Sequence, residues 1–203
     1  MNFFLERIEV PKLKEVIFLE KRQHILMCAR QVFATQGYEA TKIQHILKAA
    51  GISNGALFVY FESKRDILLA IIDENLGMFC QRIDEIADLS HELEHEETLV
   101  MLLDLVRQIS LGAGRAMSLH VWSAAMVDQE IKSHLQMHFK KILRSISKLL
   151  SSLKKEGKLA ESVNVNKAAQ GLFALFIPGY IVQLLFISAM EPRAYLNVHR
   201  ELW

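Results

Sequence analysis

Residues 41–61 read TKIQHILKAAGISNGALFVYF. Thr41 and Gln44 stand at capping-box spacing, where a hydroxyl and a side-chain amide satisfy each other's free backbone amides. Gly51 supplies the residue that can take positive φ and end a short helix. Ser53 then opens a second short helix, and Ile46, Ala50, Leu57 and Phe61 provide the apolar side that holds such a pair together. A capped helix, a Gly-centred turn and a second helix at this spacing form a helix-turn-helix, the unit that places its second helix in the DNA major groove.

Helical periodicity continues on both sides. Upstream, Ile25, Ala29, Val32 and Phe33 line one face of a helix that Gly37 terminates. Downstream, Ser63 and Asp66 repeat the cap spacing and open a long helix with Leu68, Ile72, Leu76, Phe79, Ile83 and Ile86 on its apolar face. Seven carboxylates between Asp84 and Glu97 mark a polar connection, after which Leu99, Leu102, Leu103, Val106 and Ile109 define another helix that Gly112 and Gly114 break. A helix is expected from about Ser118 to Val127. Asp128 caps the longest pattern, Ile131 through Leu153, which Lys154, Lys155 and Gly157 stop. Asn164 or Asn166 caps an uncharged helix, and Pro192 begins a short last one. Alternating strand patterns are hard to find, so the class is all-α.

The 203 residues are 51% hydrophobic and 23% charged, enough to bury a sizeable core without disulfides. Two cysteines, three prolines and nine glycines exclude a secreted disulfide scaffold and a collagen-like fibre. Net charge is only +1, but it is unevenly spread: residues 1–70 hold ten Lys+Arg against seven Asp+Glu, and residues 71–203 hold fourteen against sixteen. A modestly basic head ahead of an acidic body suits approach to phosphates. Pro11 interrupts the first twenty residues before an apolar run develops, so no signal peptide is expected.

Residues 22–68 closely resemble the N-terminal domain of the TetR (tetracycline-repressor) family. The matching positions include Arg22, Ile25, Ala29, Phe33, Gly37, Tyr38, Thr41, Ile46, Gly51, Ser53, Gly55, Tyr60, Phe61 and Lys64. The resemblance implies a three-helix DNA-binding domain over residues 1–66 and a larger helical ligand-binding and dimerisation domain over 67–203. It also implies a cytoplasmic homodimer with two partners, a double-stranded, pseudo-palindromic operator and a small-molecule effector that releases it. No enzyme activity, cofactor or metal is implied. The expected DNA-contacting set is Thr41, Lys42, Ser53, Asn54, Gly55, Ala56, Phe58, Tyr60 and Lys64. Asn54 and Ala56 can read base edges, an amide pairing with adenine and a methyl touching thymine, whereas Thr41, Lys42, Tyr60 and Lys64 suit phosphate oxygens. Phe58 departs from the family's usual Tyr, Leu47 from Ala and Lys42 from Thr. The implied effector cavity draws on Phe79, Met101, Leu105, Trp122, Met126, His138, Phe173, Phe176 and Tyr180, an aromatic and Met-rich set. The helix from Asn166 to Met190, free of charge from Leu172 on, and the short end helix are the expected dimer surface.

Two other readings compete. His91-Glu-Leu-Glu-His95 matches the H-E-x-x-H pattern of zinc peptidases, but it sits in the acidic connector without a third ligand. Residues 172–190 carry no charge and approach the length of a membrane span, though Pro178, Gly179, Gln183 and Ser188 weaken it, so no membrane partner is expected. His134 and His138, one turn apart, read as pocket or surface residues rather than ligands, and Cys28 and Cys80 as buried thiols.

Overall fold

The computed structural model describes residues 13–109 and 113–174. Seven helices are bounded within them: α1 (Leu13–Gln36), α2 (Ile43–Ala50), α3 (Asn54–Phe58), α4 (Lys64–Leu89), α5 (His95–Ile109), α6 (Ala113–Val127) and α7 (Gln129–Lys155). Residues 165–174 are also helical, and no strand occurs among the described residues. The all-α class is therefore as expected.

Local signals set most of these boundaries. α1 ends where Gly37 takes φ 82°, and α2 ends on Gly51 at φ 65°. The Ser53 hydroxyl accepts the Ala56 amide at 3.2 Å, and the Ser63 hydroxyl accepts that of Asp66 at 3.1 Å. Asp128 accepts two amides, those of Glu130 and Ile131, at the start of α7. Asn164 accepts the Lys167 amide, which selects it over Asn166 as the cap. Two expectations fail. α6 begins at Ala113, so Gly114 lies in its first turn rather than breaking the chain. α2 begins at Ile43 with Lys42 as its cap residue, and the Lys42 amide donates to His45 Nδ1 at 3.3 Å. The expected Thr41–Gln44 box is thus displaced by one residue, because Thr41 turns inward and its hydroxyl donates to the Gly37 carbonyl at 2.7 Å.

Among the described residues two large apolar cores share α4 and α7, and a small third cluster surrounds Leu103. The first gathers Ile25 and Phe33 of α1, Ile46 of α2, Leu57 of α3, Ile67, Leu68 and Ile71 of α4, Val121 and Ala124 of α6, and Ile131 and Leu135 of α7. The second joins Phe79, Ile83 and Ile86 of α4 to Leu102 and Leu105 of α5, Ile142 to Leu153 of α7 and Ala169. Leu76, Trp122 and Phe139 touch both. A fully buried Phe or Leu contributes about 1.5–3 kcal/mol relative to exposure, so the first core fixes α2 and α3 strongly against α1 and α4. A single helix, α4, starts after five intervening residues beyond the short α3 and continues into the second core.

Candidate nucleic-acid interface

α3 is held from beneath and open above. Leu57 is fully buried and Phe61 is 5% exposed, anchoring the helix and the residue pair beyond it. Ser53, Asn54 and Gly55 are exposed on the opposite side, Ala56 is partly exposed, and Phe58 is 51% exposed. A Cβ placed on Gly55 would meet nothing within 4 Å, so the protein's own packing does not require glycine there. The surface is left free for another molecule to approach the backbone. Ser53 caps the amides at the positive end of the helix, and Asn54 follows on its first turn.

α2 presents Lys42, Gln44 and Lys48 outward. Gln44 was expected only as a cap and Lys48 was not singled out, although the i, i+4 step from Gln44 to Lys48 places both on one helix face. His24 was missed as well: its Nε2 lies 3.1 Å from the Ala50 carbonyl, tying α1 to the last turn of α2, while the neighbouring Cys28 Sγ meets the Ala49 carbonyl at 3.5 Å. Cys28 is buried, in keeping with a packed thiol, and burial together with Asp84 raises the pKa of the half-buried Cys80.

Two of the expected phosphate contacts are turned to internal use. Thr41 is 2% exposed and its hydroxyl is committed to Gly37. Lys64 donates to the carbonyls of Tyr38 at 2.7 Å, Thr41 at 3.0 Å and Glu39 at 3.4 Å, and lies 4.2 Å from the centre of the Tyr38 ring. An ammonium has three protons, and all three are engaged. Lys64 thus pins the α1–α2 turn to the head of α4. Tyr60 is half-buried with its ring 4.6 Å from that of Phe18. Leu47, partly buried, packs on the first core.

Ion pairs fasten this head to the rest of the chain. Glu74 on α4 receives Arg22 and Arg30 from α1, and Arg65 reaches Asp128 at 2.9 Å and Glu130 at 2.6 Å at the start of α7. Asp128 and Glu130 together hold the Arg65 guanidinium more firmly protonated. The Asp128 carboxyl is held below the ordinary range, foremost by the backbone hydrogen bond from Ile131, then by that from Glu130 and by Arg65. Tyr38 is pushed up by burial and next by the negative charge of Asp128.

The expected effector residues scatter. Met101 and Leu105 line a cavity of about 370 Å³ between α4 and α5, together with Arg82, Ile86, Leu89 and Val100. Phe79 is buried in the second core, Trp122 bridges the cores, and Phe173 packs edge-on to Phe139 at 5.4 Å. His138 is buried against Asp73. Met126 is 84% exposed near the end of α6, outside the α4–α5 cavity. Phe176 and Tyr180 lie outside the described residues, as does most of the expected dimer surface.

The H-E-x-x-H reading loses its geometry. The pattern needs both histidines on one helix, but α4 ends at Leu89, His91 lies in the turn with its Nδ1 2.8 Å from the Asp88 carbonyl, and His95 opens α5. Among the described residues no helix is long and apolar enough to cross a membrane.

A short, exposed recognition helix, capped at its positive end and braced on a three-helix core, defines a helix-turn-helix DNA-binding regulator. Residues 25–71 match the family of bacterial regulatory proteins designated the tetR family, and the chain is similar to transcriptional regulators of that type. It is 24% identical over 153 residues to the fatty acid metabolism regulator protein of Bacillus subtilis (strain 168), covering 75% of this chain and 78% of that protein. It is 42% identical over 61 residues to the regulator AcrR of Shigella flexneri, spanning 29% of this chain and 28% of AcrR. The fold is similar to that of the fatty acid degradation regulator FadR from Bacillus halodurans, with TM-score 0.75, 22% identity, and 90% of this chain and 93% of that one covered. It is also similar to FadR from Bacillus subtilis in complex with stearoyl-CoA, with TM-score 0.72, 22% identity, and 89% and 96% covered.

Proposed function

We propose that this chain is a cytoplasmic, homodimeric repressor that leaves a pseudo-palindromic operator when a small molecule with a long apolar portion binds its second core. The observation that carries the proposal is the continuity of α4. One helix takes its N-terminal turn from the recognition unit and lines the α4–α5 cavity eighteen to twenty-five residues further on, at Arg82 to Leu89. A ligand that wedges α4 from α5 displaces the recognition helices of a dimer from the spacing that two successive major grooves require. The fatty-acid regulators among the relatives, one of them holding stearoyl-CoA, support acyl thioesters as the ligand class. The apolar lining of Ile86, Leu89, Val100 and Leu105 suits an acyl chain, while Arg82, which also lines the cavity, is paired with Glu85 at 3.0 Å.

In this reading residues 1–66 form the DNA-binding part and 67–203 the sensor part, with α4 shared. Ser53, Asn54, Gly55, Ala56 and Phe58 face the groove, and Lys42, Tyr60, Gln44 and Lys48 flank the phosphates. Thr41 and Lys64 act from behind by fixing the turn.

The test is binding to the DNA upstream of the chain's own gene, over a salt series, with wild type and Asn54→Ala, then with added palmitoyl-CoA. Asn54→Ala is expected to relax discrimination by about 1–3 kcal/mol at one base position with the salt slope unchanged. Acyl-CoA is expected to release the wild-type complex. Equal affinity for operator and random duplex overturns the proposal, and persistence of the complex at saturating acyl-CoA overturns the ligand class.

A further inference from the structure

Asp73 on α4 and His134 and His138 on α7 present three ligand atoms within 4.8 Å of one another. Both imidazole Nε2 atoms reach the same Asp73 Oδ1, at 2.8 Å from His134 and 2.7 Å from His138. Their rings lie 5.2 Å apart, one helical turn from each other. His138 is only 3% exposed, in the same row of α7 as Leu135 and Ile142. A polar ring so deep in an apolar seam is costly unless it is bound to something. The Asp73 side chain is 52% exposed and that of His134 is 22% exposed, so the cluster opens to solvent on one side.

We propose that Asp73, His134 and His138 bind a divalent first-row transition ion of the zinc type, which clamps α4 to α7 where the two cores meet. Two imidazole nitrogens and one carboxylate oxygen are a donor set for Zn²⁺, Co²⁺ or Ni²⁺; Mg²⁺ and Ca²⁺ require six or more oxygens. Three protein ligands leave a fourth position, which water fills from the open Asp73 side. An imidazole that ligates through Nε2 carries its proton on Nδ1. His138 Nδ1 is buried and meets no partner among the described residues, so one ligand lacks there the hydrogen bond that normally supports a metal-bound imidazole. That deficit costs roughly 10–100-fold in affinity and makes the site a moderate, exchangeable one rather than a permanent structural centre. Because α4 continues from the recognition unit, occupancy would stiffen the link between operator and effector sites. This last consequence rests on the function proposed above; the metal site itself does not.

The experiment titrates Zn²⁺, and separately Mg²⁺, into the full chain by calorimetry, and records the visible spectrum with Co²⁺. Wild type is compared with His134→Ala, Asp73→Asn and the double variant His91→Ala/His95→Ala, each checked for unchanged helical content. Wild type is expected to take one Zn²⁺ per subunit and no Mg²⁺. His134→Ala and Asp73→Asn are expected to bind Zn²⁺ at least tenfold more weakly and to lose the tetrahedral Co²⁺ bands, while the double variant matches wild type. No Zn²⁺ uptake by wild type overturns the proposal. So does equal uptake by His134→Ala, or a loss confined to the His91/His95 variant.

Discussion

Lys64→Met separates two roles for a residue that stands at the junction of the DNA-binding head and the long α4. Methionine keeps the aliphatic stem and removes the ammonium, which donates to three carbonyls of the α1–α2 turn. The bond to Glu39 is 3.4 Å long and exposed, so it adds little. The Tyr38 carbonyl also accepts the Thr41 amide and is not left empty, whereas the Thr41 carbonyl loses a charged donor in a part-buried place. Charge-assisted bonds of this kind contribute about 1.5–3 kcal/mol, and the contact with the Tyr38 ring at a partly exposed site adds about 0.5–1 kcal/mol. The expected loss is about 3 kcal/mol, or about 6–12 °C in Tm for a chain of this size. Urea unfolding followed by circular dichroism at fixed protein concentration measures it. DNA affinity is expected to fall with a nearly unchanged salt slope, because the turn that positions α2 loosens while no phosphate contact disappears. A direct phosphate contact gives the opposite pattern: stability within about 0.5 kcal/mol of wild type and a salt slope smaller by about one. That outcome would refute an internal role for Lys64.

Gly51→Ala is expected to cost about 1–2 kcal/mol from its φ of 65° alone, since nothing lies within 4 Å of the added Cβ. Gly37→Ala should cost more, because its Cβ would also press on His120 at 3.2 Å, and adding His120→Ala to it should recover the difference; equal costs for the two glycines would show that α6 does not press on this turn. The cap at Asp128 carries a pH signature. Its folded pKa is depressed, so its contribution is present above the unfolded value of about 3.9 and is lost as pH falls through the lower folded value. Asp128→Ser, which keeps a cap without the charge, should flatten that acid limb in pH-dependent urea unfolding, and Asp128→Ala should cost about 1 kcal/mol at neutral pH.

Caps, turns and core faces were readable from residue order because each is settled within three or four positions. A hydroxyl at Ser53 or Ser63 meets an amide three residues on, a glycine at 37 or 51 accepts positive φ, and the steps from Ile25 to Phe33 recur with the helical turn. The exposed first turn of α3 follows from the same logic, since burying Leu57 and Phe61 leaves Asn54 and Gly55 on the far side. What failed depended on where remote segments arrive. Lys64 lies 23 to 26 residues from the carbonyls it holds, and no local pattern distinguishes it from a solvated lysine. Thr41 had two uses open to it, a cap ahead or a carbonyl behind, and the packing of α1 against α2 chose the second. Asp73 stands 61 and 65 residues from His134 and His138. Periodicity could put those histidines on one face of α7, but only the register between α4 and α7 could deliver a carboxylate to both. Local hydrogen bonding is encoded in neighbouring residues, whereas side chains from distant helices meet only after the apolar faces of both have been buried together.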